Sequence, residues 1–157
     1  FTIKHYTDHD GVTNALRSLQ PGDEFLIDEP WGTIEYKGPG TFIAGGAGVT
    51  PFIAILRSLE AQGKIAGHQL IFANKTEADI IHRAEFDAMA GLETVYVLSD
   101  EEKDGFEHGY VDKALLQRHI DDLSQHIYLC GPRPMQKAVK SDLNDLGADP
   151  DALVFEK

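Results

Sequence analysis

Two short stretches carry the residues whose types and spacing could do chemistry. The first is Gly45-Gly46-Ala47-Gly48-Val49-Thr50-Pro51, which follows the apolar, β-capable run Thr41 to Ala44. Gly45, Gly46 and Gly48 admit positive φ and put no Cβ between backbone and a ligand. Thr50 suits an N-cap and Pro51 the first helical position, where a missing N–H costs nothing. A strand ending in glycines at a helix N-terminus aims free N–H groups and a positive dipole end outward, an anion site suited to a pyrophosphate. The second stretch is Cys130-Gly131-Pro132-Arg133-Pro134-Met135, reached from the apolar run Ile127-Tyr128-Leu129. A thiol at such a strand end could meet a flat ligand ring, with Gly131 giving room and Pro132 stiffening the turn. Each stretch also has a plain reading: a glycine turn without a ligand, and a cysteine that is a small buried hydrophobe.

The elements that must position these residues follow from the pattern around them. Strands are expected at 41–45, 68–73, 93–98, 126–130 and 152–156, and helices at 51–62, 77–90, 112–122 and 134–146. Phe52, Ile55, Leu56 and Leu59 would share one face of the first helix, and Ile80, Ile81, Phe86 and Met89 one face of the second. Gly147 would stop the last. Five strands separated by helices predict right-handed crossovers and an α/β fold with a five-stranded parallel, doubly wound sheet. Ligands of such sheets sit beyond the C-terminal strand ends, where strand order reverses. Cys130 would then lie near the Gly45–Thr50 turn. Residues 1–38 read differently: strands at 1–6, 24–28 and 33–36, a helical turn at Asn14–Leu19, and turns at Asp8–Gly11, Pro21–Asp23 and Glu29–Gly32. Lys37-Gly38-Pro39-Gly40 is a plausible boundary between the two parts.

Composition narrows the function classes. The chain has 157 residues, 42% hydrophobic and 25% charged, enough for one ordinary domain with a core. Its formal charge is −12, from 14 basic and 26 acidic residues, which argues against nucleic acid or an anionic membrane as partner. No apolar run approaches the ~20 residues of a membrane span. The lone Cys130 excludes an intramolecular disulfide and fits a reducing, cytoplasmic compartment. The seven histidines lack ligand spacing, so no metal site is expected. Asp100 to Asp104 reads as a solvated charged loop. Asn74 could touch a ribose or cap the second helix, and Trp31 could stack on a cofactor or cover the domain boundary.

The two motifs, in this order and about 80 residues apart, resemble the ferredoxin–NADP reductase family of flavoenzymes. Phe72-Ala73-Asn74-Lys75-Thr76-Glu77-Ala78-Asp79-Ile80 is similar to the corresponding segment of the NADH–cytochrome b reductases within it. By this likeness residues 39–157 are the NAD(P)-binding domain. Residues 1–38 are the C-terminal part of an antiparallel FAD-binding β-barrel, with Gly11-Val12-Thr13 at the flavin pyrophosphate turn and Glu29-Pro30-Trp31-Gly32 in place of a Gly-Pro-x-Gly turn. The family's Arg-x-Tyr-Ser/Thr signature and the first half of the barrel are absent, so upstream sequence is expected to be missing. Phe155-Glu156-Lys157 resembles the end of the family's last strand, without the terminal aromatic of plant-type members.

The resemblance implies a flavin-dependent NAD(P)H oxidoreductase that passes hydride from nicotinamide to FAD and electrons onward. It assigns Cys130 and Glu156 catalytic roles. It places the cofactors on Gly11, Val12, Thr13, Gly45, Gly46, Gly48, Val49, Thr50, Pro51, Asn74, Lys75, Asp79, Gly131, Pro132, Met135 and Phe155. A 2′-phosphate needs Arg or Lys beyond the second strand, whereas a free ribose accepts an acid. That segment sets Lys75 and Arg83 against Glu77 and Asp79, and Asp79 matches the acid of NADH-preferring relatives, so NADH is favoured over NADPH. The plain alternative is that Asp79 merely favours the start of the second helix through the helix dipole. The electron acceptor is unnamed, and the acidic charge predicts that it is not strongly acidic. Two rivals stand beside the enzyme: a nucleotide-binding regulatory or electron-transfer subunit of a larger complex, and a folded remnant without cofactor.

Overall fold

A computed structural model describes residues 2–5, 10–24, 26–29, 32 and 34–155. The chain divides into two compact units, Phe1–Gly32 and Thr33–Lys157.

In the first unit, helix α1 (Val12–Ala15) tightens into a 3₁₀ turn at Leu16–Ser18. The Gly11 carbonyl accepts from the amides of Asn14 (3.0 Å) and Ala15 (3.1 Å). The helical turn expected at Asn14–Leu19 thus begins earlier, at Val12. None of the unit's described residues is buried. The expected strands at 1–6 and 24–28, and the one at 33–36 in the second unit, do not form among the described residues there. An extended segment becomes a strand only when a neighbour completes its ladder, and the described residues of these segments lie in none.

The second unit is built on a parallel sheet: β1 (Gly40–Gly45), β2 (His68–Asn74), β3 (Leu92–Leu98), β4 (Glu107–His108), β5 (His126–Cys130) and β6 (Leu153–Phe155). Their order is β4-β3-β2-β1-β5-β6. The two-residue β4 is additional to the five expected strands. It was hidden because two residues carry no period, and pairing with Val97 and Leu98 alone defines it.

Alternation along each strand sorts the core onto two faces. Phe42, Ala44, Leu70, Phe72, Leu98, Tyr128 and Cys130 pack with residues of α2 (Thr50–Ala61) and α3 (Arg83–Ala88). Ile43, Ile71, Val97, Ile127 and Leu129 pack with α4 (Lys113–His119) and α5 (Arg133–Asp145). Helices on both faces explain why β1 is buried along its whole length. β1 has β2 on one side and β5 on the other, so the chain winds outward from β1 in both directions and the order reverses between β1 and β5.

Three local expectations change. Thr50 is not the N-cap of α2. A 3₁₀ turn over Gly46–Val49 runs straight into the helix, and the Thr50 hydroxyl donates back to the Ala47 carbonyl at 3.0 Å. The helix expected at 77–90 is broken into a 3₁₀ turn, Glu77–Asp79, and the short α3. A reciprocal Thr76–Asp79 capping box closes the first piece, and His82 at φ 56° restarts the chain in the left-handed region. α4 is shorter than 112–122 because Asp112 is its N-cap, accepting from the Leu115 amide at 2.8 Å, and Ile120 is already extended. Gly147, at φ 84°, ends α5 as expected, with the Ala148 amide donating to the Leu143 carbonyl.

Residues 37–39 are tied to the sheet. The buried Tyr128 hydroxyl accepts from the amides of Lys37 (2.9 Å) and Gly38 (3.0 Å) and donates to the Gly38 carbonyl (2.8 Å).

Candidate functional site

The fold brings the two motifs into backbone contact at the switch point. Ala44 pairs with Cys130, so the turns leaving β1 and β5 emerge side by side. A Cβ on Gly48 would fall 2.3 Å from the Cys130 carbonyl oxygen and 2.7 Å from the Gly131 Cα. One on Gly131 would fall 3.1 Å from the Gly45 Cα, and one on Gly45 2.4 Å from the Met135 Sδ and 2.9 Å from the Pro132 Cδ. Three glycines therefore serve the seam between the turns, a reason different from positive φ: Gly45 is extended, with φ −118°. Only Gly46 of this turn is left-handed, at φ 51°, and a Cβ there would meet nothing within 4 Å. Gly46 thus opens outward where a ligand would approach. The first N–H groups of a 3₁₀–α start have no helical acceptor, and here they stand at the C-terminal edge of the central strand.

The other expected residues distribute along that edge. Val49 is fully buried and belongs to the core. Thr50 and Pro51 are half-buried in the first turn of α2. Cys130, at the end of β5, is buried in the same core cluster as Ala44 and Val49. Gln136 donates to the Gly131 carbonyl at 2.8 Å and fixes that turn. Phe155 ends β6 on the far side of β5, but its ring packs with the α4–α5 cluster under the Lys140 ammonium, 3.2 Å from its centroid. Gly11, Val12 and Thr13 open α1 in the first unit. None of that unit's described residues is buried. Glu156 and Trp31 lie outside the described residues.

On the β2 side the ends of two strands carry a polar cluster. Pairing continues past the strands, with the Ser99 amide donating to the Asn74 carbonyl (3.0 Å) and Asp100 to Lys75 (2.9 Å). Asn74 Nδ2 is buried without a protein partner, so a ligand acceptor there would satisfy it. Lys75 is exposed. The Asp79 carboxylate accepts from the Thr76 amide (3.0 Å) and hydroxyl (2.8 Å), which closes the turn at Glu77–Asp79. Glu77 accepts from both Lys103 and Arg83, and its amide donates to Glu101 at 2.8 Å. The Lys103 hydrogen bond, then that of Arg83, holds the Glu77 carboxyl below its ordinary value. Arg83 is wedged 4.8 Å from the Phe106 centroid and 5.4 Å from that of Tyr96. Burial, then the bond to Asp87, pushes the Tyr96 phenol well above its usual value, so it remains a neutral donor to Asp87 at 2.7 Å. The run Asp100–Asp104, read from sequence as a solvated loop, contributes Glu101 and Lys103 to this cluster. No local spacing could have shown it, because Lys103 is 26 residues from Glu77.

From β3 to β6 the ends of the longer strands form a row about 19 Å long at ordinary strand spacing, with the glycine turn in its middle. Comparison with known proteins agrees with this geometry. The family model described as oxidoreductase NAD-binding domain matches residues 42–141. The chain belongs to that family. The chain is 34% identical to nitrate reductase [NADH] 1 of Nicotiana tabacum, over 88% of the chain and 18% of that protein. It is 31% identical to NADH-cytochrome b5 reductase 2 of Mycosarcoma maydis, over 94% of the chain and 46% of that protein. A ferredoxin NADP+ reductase of Neisseria gonorrhoeae shares the fold, with TM-score 0.71 and 20% identity over 94% of this chain and 70% of that one. The likeness to ferredoxin–NADP reductases drawn from the two motifs is borne out. The chain spans less than half the length of the curated relatives named here. Among the described residues no helix is long and apolar enough to cross a membrane.

Proposed function

We propose that the chain is the nicotinamide-nucleotide half of an NAD(P)H-dependent flavoprotein reductase, with NADH the favoured donor. The carrying observation is the seam at the switch point. Gly48 and Gly131 let the Gly46–Thr50 turn and the Cys130–Met135 turn touch backbone to backbone. A pyrophosphate on the first turn thereby sits beside the strand end that bears the thiol. When bound, NADH supplies the hydride and a flavin accepts it. The chain's own part is positioning. The first-turn N–H groups and Gly46 would hold the pyrophosphate, Asn74 and Lys75 would face the adenosine half, and Cys130, with Gly131 and Pro132, would set the nicotinamide. The carboxylates of Glu77 and Asp79 at the β2 end support NADH, as do relatives whose names specify it. Residues 1–38 would be the C-terminal part of the flavin-binding domain and 39–157 the nucleotide domain. Gly11, Val12 and Thr13 would then meet the flavin phosphates, with Phe155 and Glu156 at the flavin side. The formal charge of −12 favours an acceptor that is not strongly acidic.

The test is a calorimetric titration of the chain with NADH, followed by anaerobic NADH addition to the complete flavin-loaded protein. Micromolar to millimolar binding and bleaching of the flavin absorbance are expected. Absence of binding would refute the nucleotide site. Binding without bleaching would favour a regulatory nucleotide subunit instead.

A further inference from the structure

The edge of the sheet that would receive adenosine holds three cations: Lys75, Arg83 and Lys103. A chain that favours NADH should not present cations to a 2′-phosphate. The structure shows what is done with two of them. Glu77 bridges Arg83 and Lys103 with its two carboxylate oxygens, one to each. Arg83 is also 3.4 Å from Asp87 and lies against the faces of Phe106 and Tyr96. Its guanidinium is therefore fixed in place and already neutralised. Lys103 reaches Glu77 from the loop after β3, so the bridge spans the ends of two neighbouring strands.

We propose that Glu77 is a specificity-determining residue, acting as an internal stand-in for the 2′-phosphate that distinguishes NADPH from NADH. This rests on the reading of the β2 end as the adenosine side of the site. A carboxylate and a phosphate monoester ask for the same partners: Arg in a planar fork and Lys as a point charge. Glu77 occupies both, with its backbone fixed through the Thr76–Asp79 turn and its amide bonded to Glu101. A nucleotide bearing a 2′-phosphate would have to displace that carboxylate or remain unpaired beside it and Asp79. A nucleotide with a free ribose meets no such demand. Discrimination thus comes chiefly from occupying the cations and only secondarily from repelling the phosphate. Asp79, spent on closing its own turn, holds the register of Glu77 and acts as a positioning residue.

The prediction follows from the charge count. In Glu77→Gln the amide keeps the size and one acceptor oxygen but loses a unit of negative charge, so the cluster of Arg83, Lys103 and Asp87 gains one net positive charge. The probes are adenosine 2′,5′-bisphosphate and 5′-AMP, which need neither flavin nor turnover. Calorimetry on the chain should show the affinity ratio of bisphosphate to monophosphate rising about tenfold in Glu77→Gln, as expected for one charge-assisted hydrogen bond gained. The rise should shrink as salt is added. Adding Arg83→Gln to that variant should return the ratio towards wild type. Glu77→Asp, too short to bridge both cations, should give a smaller rise and serves if Glu77→Gln does not fold. A ratio within twofold of wild type in whichever of the two folds would overturn the inference while leaving the nucleotide site intact, as would a gain that survives loss of Arg83. If wild-type chain binds neither probe nor NADH at millimolar concentration, the underlying site assignment fails, and this inference with it.

Discussion

Replacing Gly48 with alanine tests whether the two turns form one site. The added Cβ would stand 2.3 Å from the Cys130 carbonyl oxygen, 2.5 Å from its carbon and 2.7 Å from the Gly131 Cα. Ordinary contact begins near 3.4 Å, so the turns must separate by about 1.1 Å. All three opposing atoms are backbone, held at the end of β5 and in the turn that leads into α5, and none is the flexible end of a side chain. Overpacking of this kind costs about 1–3 kcal/mol, and the rigidity of both sides argues for the upper end. For a unit of this size each kcal/mol lowers Tm by about 3–5 °C, so Gly48→Ala should lose about 10 °C. Gly46→Ala makes the contrast. It meets no atom within 4 Å and bears only the cost of a non-glycine residue at positive φ, about 1 kcal/mol and hence about 4 °C. Gly45→Ala should fall between them, because its closest obstacle is the Met135 sulfur, which can move. Thermal unfolding gives the stability order, and NADH calorimetry gives the function. Separating the turns by an ångström should weaken NADH about tenfold. The reasoning is refuted if Gly48→Ala melts no lower than Gly46→Ala and binds NADH within twofold of wild type.

Cys130→Ser should slow flavin reduction by NADH in the complete protein, measured by stopped flow, more than it weakens NADH binding; an unchanged rate with lowered Tm would make the thiol a packing residue only. Tyr128→Phe should cost about 2 kcal/mol, since the amides of Lys37 and Gly38 and the Gly38 carbonyl lose the hydroxyl that serves them; hydrogen exchange should rise at 37–38 and not in α2. Glu107 is held below its ordinary 4.5 by its hydrogen bond from His119 and then that from Arg118. A depressed carboxylate stabilises above its unfolded pKa and loses that contribution as pH falls through the folded value. The urea midpoints of wild type and Glu107→Gln should therefore differ above about pH 4.5 and converge in acid. The acceptor of the complete protein should be reduced at a rate that does not fall steeply with salt if it is not strongly acidic; fast low-salt reduction of an acidic carrier, lost as salt is added, would contradict this.

Much of the site was legible from sequence because its determinants are local. An apolar run ending in Gly-Gly-x-Gly before Pro51 can hardly be anything but a strand, a turn and a helix start. Five buried strands with helices between them leave few topologies open. The chain order of the two motifs, with ligands at the C-terminal strand ends, then puts Cys130 beside the glycine turn. Other features depended on partners distant in sequence. Whether Gly48 makes room for a ligand or for the Cys130 carbonyl depends on the register of β1 against β5, which no spacing encodes. The break at His82 depended on which of two competing local structures, a continuous helix or the Thr76–Asp79 box, the packing of Ile80 and Phe86 would permit. The segments 1–6, 24–28 and 33–36 carry strand-like patterns, but their described residues form no strand, because a strand exists only with a partner. The fate of Arg83 is the clearest case. Its charge is written in the sequence, but its availability is not: Lys103 and Glu77 meet only because β2 and β3 are neighbours, and proximity in three dimensions decides whether a cation is open to a phosphate or already paired.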